Sequence, residues 1–272
     1  MRTVALVLSL SHSGSTLLDL ILGGNSRCVG LGEVHNVLSM SPARLEEKFG
    51  VTCTCGRATK NCEFWGPFTD WIAENSELPS SKKFAAMLRH VDEVFGANRV
   101  VVDSSKKISV AEVYHSLPDV ELRILHLLTD VRSYSVSRID KALPGRRHPL
   151  RNVAAFRTWH RKNRRIQRFV RTNRIPHLQV GYEALCRRPD AAVRRICDFL
   201  EIDFEADMAE LRSQNSHLIT GNQLRHQPAR RSQIAYDDRW IERKDWRLAA
   251  LLCPRIMRYN EREAHGSAVD EA

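Results

Sequence analysis

The first stretch of this 272-residue chain constrains its fold more than any other part. An apolar run, Thr3–Leu10, stops at a loop of small polar residues, Ser11–Thr16, and a helical pattern runs from about Gly14 to Gly23. This order predicts a strand, a tight loop and a helix N-terminus. The backbone amides of such a loop, together with the helix dipole, favour an anion, most often a phosphate. Small loops also follow strands for structural reasons alone, so a phosphate site needs support from elsewhere in the chain.

The loop is not a Walker A motif. In that motif a lysine contacts the β- and γ-phosphates and the next hydroxyl binds magnesium. This chain lacks the first glycine of the motif, and Ser15 stands in place of the lysine. The sequence therefore disfavours ordinary ATP or GTP hydrolysis.

Beyond this start, short apolar runs alternate with helical patterns. The predicted strands are Thr3–Leu10, Cys28–Leu31, Arg99–Val102, Leu122–Leu128 and His177–Val180. Such alternation predicts an α/β fold: a P-loop-like parallel sheet flanked by helices on both faces, with a small inserted cysteine-containing lobe. Ligands of such sheets bind outside the carboxyl ends of the strands. Polar clusters follow four of the strands: Ser11–Thr16, Glu33, Asp103–Lys106 and Thr129–Arg138.

We expect residues 1–260 to form one domain, with an irregular inserted lobe at about residues 40–80 and a disordered tail at residues 261–272. The apolar runs are far too short to cross a bilayer, and no long apolar region typical of a signal peptide follows the first residues. The expectation is a cytoplasmic protein without a transmembrane segment.

The formal net charge of +10 favours acidic ligands such as nucleotides and anionic substrates. We do not expect nucleic acid, because the basic residues are scattered apart from Gly145–Arg174, and no zinc-finger or RNP pattern accompanies them. A basic helix is usually a solvated face. The alternative is that this segment lines a groove for an acidic acceptor, with Arg146 and Arg147 on a mobile lid.

Three of the seven cysteines, Cys53, Cys55 and Cys62, form a tight cluster. The Cys-x-Cys spacing and the presence of only three local ligands depart from the usual zinc motifs, so we expect a reduced surface lobe without metal. The alternative is a structural zinc, which would need a fourth ligand from His35, Cys28 or elsewhere.

Several blocks of the chain resemble sulfotransferases that use 3′-phosphoadenosine-5′-phosphosulfate (PAPS) as donor. Ser13-Gly14-Ser15-Thr16-Leu17-Leu18 is similar to their 5′-phosphosulfate loop, and Asp130-Val131-Arg132 with Ser137 is similar to their 3′-phosphate motif. Three more blocks match: the cysteine lobe Cys53–Trp65, Gly181-Tyr-Glu-Ala-Leu-x3-Pro189, and the late loop His217–Arg225. The blocks follow the family's order over nearly the whole chain, and the cysteine lobe is similar to one found in some bacterial members. The chain therefore resembles a bacterial-type enzyme of this family. It is more similar to the tyrosylprotein and Golgi carbohydrate sulfotransferases than to the cytosolic phenol enzymes.

Two positions depart from the family pattern. The 3′-phosphate motif usually begins with an arginine, where this chain has Thr129. His12 lies where relatives commonly carry arginine or lysine. Arg132 and Arg138 could supply the missing charge, because a guanidinium suits phosphate oxygens.

The resemblance implies a donor site and three catalytic side chains. The residues implied in donor binding are Ser11, His12, Ser13, Gly14, Ser15, Thr16 and Leu17 on the 5′ side, Arg132 and Ser137 on the 3′ side, and Gly221, Asn222 and Arg225 in the late loop. Glu33 is implied as the general base for the acceptor, with His35 as its rival. Lys106 would stabilise charge on the leaving phosphate oxygen, and a protonated His12 would donate to the sulfonate or bridging oxygen. No metal is expected in the reaction.

The predicted function is sulfuryl transfer from PAPS to a hydroxyl or amine by in-line displacement, with a carboxylate as general base. Two alternatives stay open. One is a P-loop kinase-like phosphotransferase, against which the missing Walker lysine argues. The other is a non-catalytic nucleotide- or phospholigand-binding protein. The acceptor and the oligomeric state do not follow from the sequence.

Overall fold

The computed structural model describes residues 1–142, 149–208, 211, 215–222, 225 and 234–266. The strands are β1 (Arg2–Ser9), β2 (Cys28–Gly30), β3 (Val100–Asp103), β4 (Val120–Leu128) and β5 (His177–Gly181). They form one sheet in the order β2-β3-β1-β4-β5, and every neighbouring pair is parallel. Each strand lies within two residues of its predicted bounds, and the predicted α/β fold class is confirmed.

Helices connect the strands and cover the sheet. They are α1 (Ser15–Leu22), α2 (Val34–Ser39), α3 (Pro42–Phe49), α4 (Trp65–Glu74), α5 (Ser80–Phe95), α6 (Ile108–Ser116), α7 (Val131–Ala142), α8 (Pro149–Thr172), α9 (Tyr182–Arg187), α10 (Pro189–Leu200), α11 (Arg239–Glu242), α12 (Arg247–Leu252) and α13 (Pro254–Asn260). Among the described residues, no helix combines the length and the apolar character needed to cross a membrane.

The sheet separates two apolar layers, because successive side chains of a strand point to opposite faces. Val4, Leu6 and Leu8 of β1 belong to one layer, Ala5 and Val7 belong to the other, and all five are completely buried. Helices α5, α6 and α8 contribute to the first layer, and α1, α9 and α10 contribute to the second. A continuously apolar strand such as β1 is typical of the centre of a parallel sheet that is covered on both faces.

The inserted lobe is more regular than expected. The prediction of an irregular segment at about residues 40–80 is wrong, because α3 and α4 both lie in it. Phe64 and Trp65 at the start of α4 are fully buried and pack edge to face at 4.7 Å between ring centroids. His90 of α5 stacks on Phe68 and its Nε2 lies 2.9 Å from the carbonyl oxygen of Phe64. The lobe therefore shares the core of the main domain.

The C-terminal segment is also ordered further than expected. After α13 a helical turn, Glu261–His265, buries Ala264, and His265 Nε2 lies 2.8 Å from Asp130 Oδ2. The prediction of a disordered tail is therefore wrong for residues 261–266. Residues 267–272 lie outside the described part of the chain.

Candidate active site

The pairing of the strands brings the predicted polar clusters to one edge of the sheet. Ser9 pairs with Leu127 across β1 and β4, so the loop after β1 begins beside the loop that starts at Thr129. On the other side of β1, Leu6 pairs with Asp103, which begins the segment Asp103–Lys106. The carboxyl ends of β1, β3 and β4 thus present three chemically distinct loops to one crevice, the usual ligand position in an open α/β sheet.

The loop after β1 approaches its neighbours so closely that a side chain at one position is excluded. Gly14 has φ of +81°, and a Cβ there would overlap the ring of Tyr182, lying 2.7 Å from its Cε2. Ser13, Ser15 and Thr16 are buried, while Ser11 is exposed. Since α1 begins at Ser15, its first backbone amides, which have no partner within the helix, point at this loop. This local structure suits an anion.

His12 lies in the loop after β1, where several positively charged side chains act on it. Burial lowers its pKa, and the charges of Lys141, Lys106, Arg239 and Arg138 lower it further. Both effects favour the neutral imidazole over the protonated form in the ligand-free site. His12 has φ of +68°, a left-handed backbone that costs a non-glycine residue about 1 kcal/mol or more. Cations on several elements near one loop favour an anionic ligand there.

Glu33 and Lys106, assigned to separate catalytic tasks, lie in direct contact. Lys106 Nζ donates to Glu33 Oε1 at 2.5 Å, and Asn36 Nδ2 donates to Glu33 Oε2 at 2.5 Å. The backbone of Glu33 is fixed by Thr220, whose hydroxyl accepts from Glu33 N at 3.0 Å and lies 3.2 Å from Glu33 O. The site therefore holds a carboxylate and an ammonium together, both largely shielded from water.

A buried carboxyl group supports the loop of Lys106. Asp103 Oδ1 accepts from the backbone N–H of Ser105 at 2.7 Å, and Asp103 Oδ2 accepts from the hydroxyl of Tyr114 at 3.0 Å. Burial raises the pKa of Asp103 to about 6. Ser105 Oγ in turn accepts from the backbone N–H of His35 at 2.9 Å. Lys106 itself has φ of +64°, so it shares with His12 the strained backbone that is common at functional sites.

A second buried carboxyl group, Asp19, was not predicted as part of the site. Its Oδ2 accepts from the hydroxyl of Ser104 at 2.8 Å and from the backbone N–H of Gly32 at 3.1 Å. Burial raises its pKa to about 8. Asp19 therefore ties the helix that begins at the anion loop to the residues just before Glu33 and Lys106.

A charged network fixes the loop after β4. Arg132 donates to both carboxylate oxygens of Asp130, at 2.9 Å from Nε and 2.6 Å from Nη2. Asn260 Nδ2 donates to Asp130 Oδ2 at 3.0 Å, and His265 Nε2 lies 2.8 Å from the same oxygen. Although burial opposes ionisation, these hydrogen bonds hold the pKa of Asp130 well below its usual range. The Arg132 guanidinium also stacks on Trp240, 4.3 Å from the ring centroid.

Thr129 and Glu183 extend the hydrogen-bond network around Asp130 into the protein interior. Glu183 Oε1 accepts from Asp130 N at 2.9 Å and from the Thr129 hydroxyl at 3.3 Å, and burial raises the pKa of Glu183. Thr129 is 1% exposed, so the position that carries an arginine in the family pattern faces the interior here. Tyr182 packs on Gly14 and Glu183 supports Asp130, so two consecutive residues join the loops after β1 and β4.

Comparison with known proteins identifies the family. A model of the sulfotransferase family matches residues 5–206. The chain belongs to the sulfotransferase family. In a comparison with curated proteins, no sequence matched this sulfotransferase.

Two solved structures share the fold of this sulfotransferase. The sulfotransferase domain from the Synechococcus PCC 7002 olefin synthase has a TM-score of 0.54 and 21% identity, and the match covers 92% of this chain and 86% of that one. The sulfotransferase domain from the curacin biosynthetic pathway has a TM-score of 0.55 and 20% identity, over 92% of this chain and 90% of that one. At such identities the likeness shows the shared fold.

Contacts join some of the predicted site residues of the sulfotransferase, among them Lys106 with Glu33. Asn222 N donates to Thr16 Oγ1 at 3.2 Å, which places the late loop against α1. Arg225 instead is buried and donates to the carbonyl oxygen of Phe49, so the structure places it against the inserted lobe. Ser137 is half-buried on α7. The sequence block Gly181–Pro189 contains Tyr182, but no local pattern in it indicates which loops this residue joins.

The basic segment is largely a solvated helix. In α8 the arginines at 157, 161, 164, 165 and 168 are exposed, whereas Phe156 and Trp159 are fully buried. The lid predicted at Arg146 and Arg147 lies outside the described residues.

Proposed function

We propose that this sulfotransferase moves a sulfuryl group from PAPS to a hydroxyl or amine of its acceptor. The observation that carries the proposal is the Glu33–Lys106 contact of 2.5 Å at the edge of the crevice that also holds the anion loop. A base and a cation are the two side-chain functions that in-line transfer needs beyond donor binding. The positive field around His12 supports an anionic donor.

The donor would lie across the ends of β1 and β4. The backbone amides of residues 13–17 would bind the 5′-phosphosulfate, and Gly14 would let the donor approach the main chain. Arg132, Ser137 and Arg138 would face the 3′-phosphate. Gly221 and Asn222 would border the nucleotide from the late loop, since Asn222 already contacts Thr16.

The proposed reaction breaks one S–O bond and forms another. The acceptor oxygen attacks sulfur opposite the bridging oxygen, and the electron pair of the broken bond stays on the 5′-phosphate of the leaving 3′,5′-ADP. Lys106 stabilises that developing charge, which requires it to turn from Glu33 to the bridging oxygen. Glu33 then accepts the proton of the acceptor hydroxyl. A bound anion would offset the charges of the cations that lower the pKa of His12. The imidazole could then carry a proton and donate it in a hydrogen bond to the sulfonate or the bridging oxygen.

The test separates donor binding from chemistry. In the full-length protein, 3′,5′-ADP should raise the melting temperature without magnesium, and radiolabelled PAPS should label an acceptor in a host extract. Glu33→Gln should reduce transfer about 10²- to 10⁴-fold and keep 3′,5′-ADP binding, because only the base is lost. The exposed carboxylate of Glu112 offers a matched control, and Glu112→Gln should leave both unchanged.

Three results would contradict the proposal. Stabilisation by magnesium-ATP but not by 3′,5′-ADP would favour a kinase-like phosphotransferase. Donor binding with no transfer to any acceptor would indicate a non-catalytic binding protein. Full transfer by Glu33→Gln would remove Glu33 as the base.

A further inference from the structure

The structure joins the cysteine cluster to a distant histidine. One ligand atom each of Cys53, Cys55, Cys62 and His217 lie within 4.8 Å of one another. Cys62 Sγ is 3.7 Å from Cys53 Sγ and 3.3 Å from His217 Nδ1. The sequence offered three local ligands and suggested His35, Cys28 or another residue as the fourth, and neither His35 nor Cys28 belongs to this group. The fourth comes from a residue 155 positions away, at the start of the late loop.

The distances from Cys62 Sγ to Cys53 Sγ and to His217 Nδ1 fit the edges of a zinc coordination tetrahedron, and every other pair of ligand atoms lies within 4.8 Å. With Zn–S of about 2.3 Å and Zn–N of about 2.0 Å, tetrahedral angles place two sulfurs about 3.8 Å apart and a sulfur and a nitrogen about 3.5 Å apart. We propose that Cys53, Cys55, Cys62 and His217 bind one structural Zn²⁺ ion, which fastens the inserted lobe to the late loop of the active site. Three thiolates and one imidazole are a common closed donor set for zinc, and soft thiolate ligands favour it over magnesium or calcium.

The surroundings of the cluster match those of metal-bound thiolates and imidazoles. The backbone N–H of Trp65 points at Cys62 Sγ at 3.4 Å. The outer nitrogen of the imidazole, His217 Nε2, faces Glu63 Oε1 at 3.9 Å, which is beyond hydrogen-bond distance. Between Cys53 and Cys55 the chain makes a tight turn, closed by a 3.0 Å bond from Gly56 N to Cys53 O with Gly56 at φ of +86°. Across this turn the sulfurs of Cys53 and Cys55 lie within 4.8 Å of each other.

The site is closed, which favours a structural ion over a catalytic one. Cys53, Cys62 and His217 are each 2% exposed or less, and Cys55 is half-buried. Four protein ligands leave no coordination position for a substrate, whereas catalytic zinc keeps one open.

The same contacts lead from the cluster to the proposed base. Thr54, between the first two cysteines, donates from its hydroxyl to Ser216 O at 2.6 Å and accepts from Leu218 N at 2.9 Å. His217 N donates to Gly30 O at 2.7 Å, so the late loop lies along the edge of β2. Three residues after His217, the hydroxyl of Thr220 accepts from the backbone N–H of Glu33.

An ion at the cluster would therefore fix both ends of this path. The lobe on one side and the segment 216–220 on the other belong to parts of the chain that only tertiary contacts bring together. Metal binding contributes to folding free energy when the ligands are assembled by the fold. The metal proposal itself does not depend on the donor or the acceptor.

Metal content provides the direct test. Full-length protein purified under reducing conditions without chelator should contain about one zinc per chain by mass spectrometry of the elements. A mercurial that blocks thiols should release that zinc stoichiometrically to a colorimetric indicator. Protein refolded with Co²⁺ should show thiolate-to-cobalt charge transfer and the strong visible bands of a tetrahedral ion.

A matched pair of cysteine variants assigns the ligands. Cys55→Ser should retain less than about a tenth of an equivalent of zinc after dialysis against a weak chelator. Cys186→Ser should retain the full equivalent, because Cys186 lies outside the cluster. If Cys55→Ser does not fold, the mercurial release from the unaltered protein still decides the question.

The proposal is overturned if the purified protein holds no zinc and takes up no cobalt into a tetrahedral site. It is equally overturned if unreduced protein has a Cys53–Cys62 disulfide, visible as an intact mass two hydrogens lower. Zinc that survives Cys55→Ser unchanged would place the ion elsewhere.

Discussion

The two halves of the candidate donor site are held in different ways. The half after β1 is held by steric packing, because Gly14 lies against the ring of Tyr182. The buried carboxyl group that supports this half, Asp19, has a pKa of about 8 and is mostly uncharged at neutral pH. The half after β4 is held by charge, because the buried carboxylate of Asp130 is paired with Arg132 and His265.

This difference indicates how each half responds to change. A half held by packing is insensitive to salt but tolerates no added atom. A half held by a buried ion pair tolerates local volume changes but is sensitive to the loss of one partner, which leaves an unpaired charge. The predictions that follow test this contrast, beginning with the largest effect.

Removal of Arg132 should have the largest effect on stability. Arg132→Ala leaves the Asp130 carboxylate buried with fewer partners, so the free energy of unfolding should fall by about 3 kcal/mol. Arg138 is exposed, and Arg138→Ala should leave stability unchanged. Chemical denaturation measures both.

The same two variants test recognition of the 3′-phosphate. Each should reduce the preference for 3′,5′-ADP over 5′-AMP about tenfold, the loss expected for one charge-assisted contact. If Arg138→Ala keeps the full preference while Arg132→Ala unfolds the protein, Arg132 positions the loop and another group binds the phosphate.

An added methyl group at Gly14 should destabilise the half of the site after β1, which is held by packing. Gly14→Ala places a Cβ in steric overlap with the ring of Tyr182, 2.7 Å from its Cε2. The backbone strain of an alanine at this position is the same in any background, so removing the ring isolates the overlap. Gly14→Ala should lose about 2 kcal/mol more stability in the unaltered protein than in a Tyr182→Ala background. Calorimetry of these variants gives this difference, and equal losses would show that Tyr182 simply moves aside.

The pH dependence of stability should reveal Asp19. Its carboxyl group keeps its proton up to about pH 8 in the folded protein but loses it near pH 4 when unfolded. The folded state thus binds more protons between these values, and this group should lower stability by at most about 1.4 kcal/mol per pH unit as pH rises. Asp19→Asn should remove that part of the slope between pH 5 and 8, measured by denaturation. An unchanged slope would mean that Asp19 is ionised in the folded state.

The sequence predicted those parts of the molecule that depend on local order along the chain. Each strand and the small polar loop after β1 could be predicted because a buried parallel strand is a continuous apolar run with a sharp polar end. Helix α4 was missed because Gly66 and Pro67 interrupt its apolar pattern. Contacts between distant residues left no local signal. His217 reaches Cys62 across 155 positions, and His265 reaches Asp130 across 135.

Under the proposed roles, the contact between Glu33 and Lys106 acts as an interlock. While Glu33 is paired with Lys106, the carboxylate is less able to accept a proton from the hydroxyl of the acceptor. A bound donor attracts the ammonium of Lys106 more strongly, and the carboxylate becomes available only when the lysine has moved to the donor. Substrates would be used in a fixed sequence, nucleotide first, without any moving domain to enforce it.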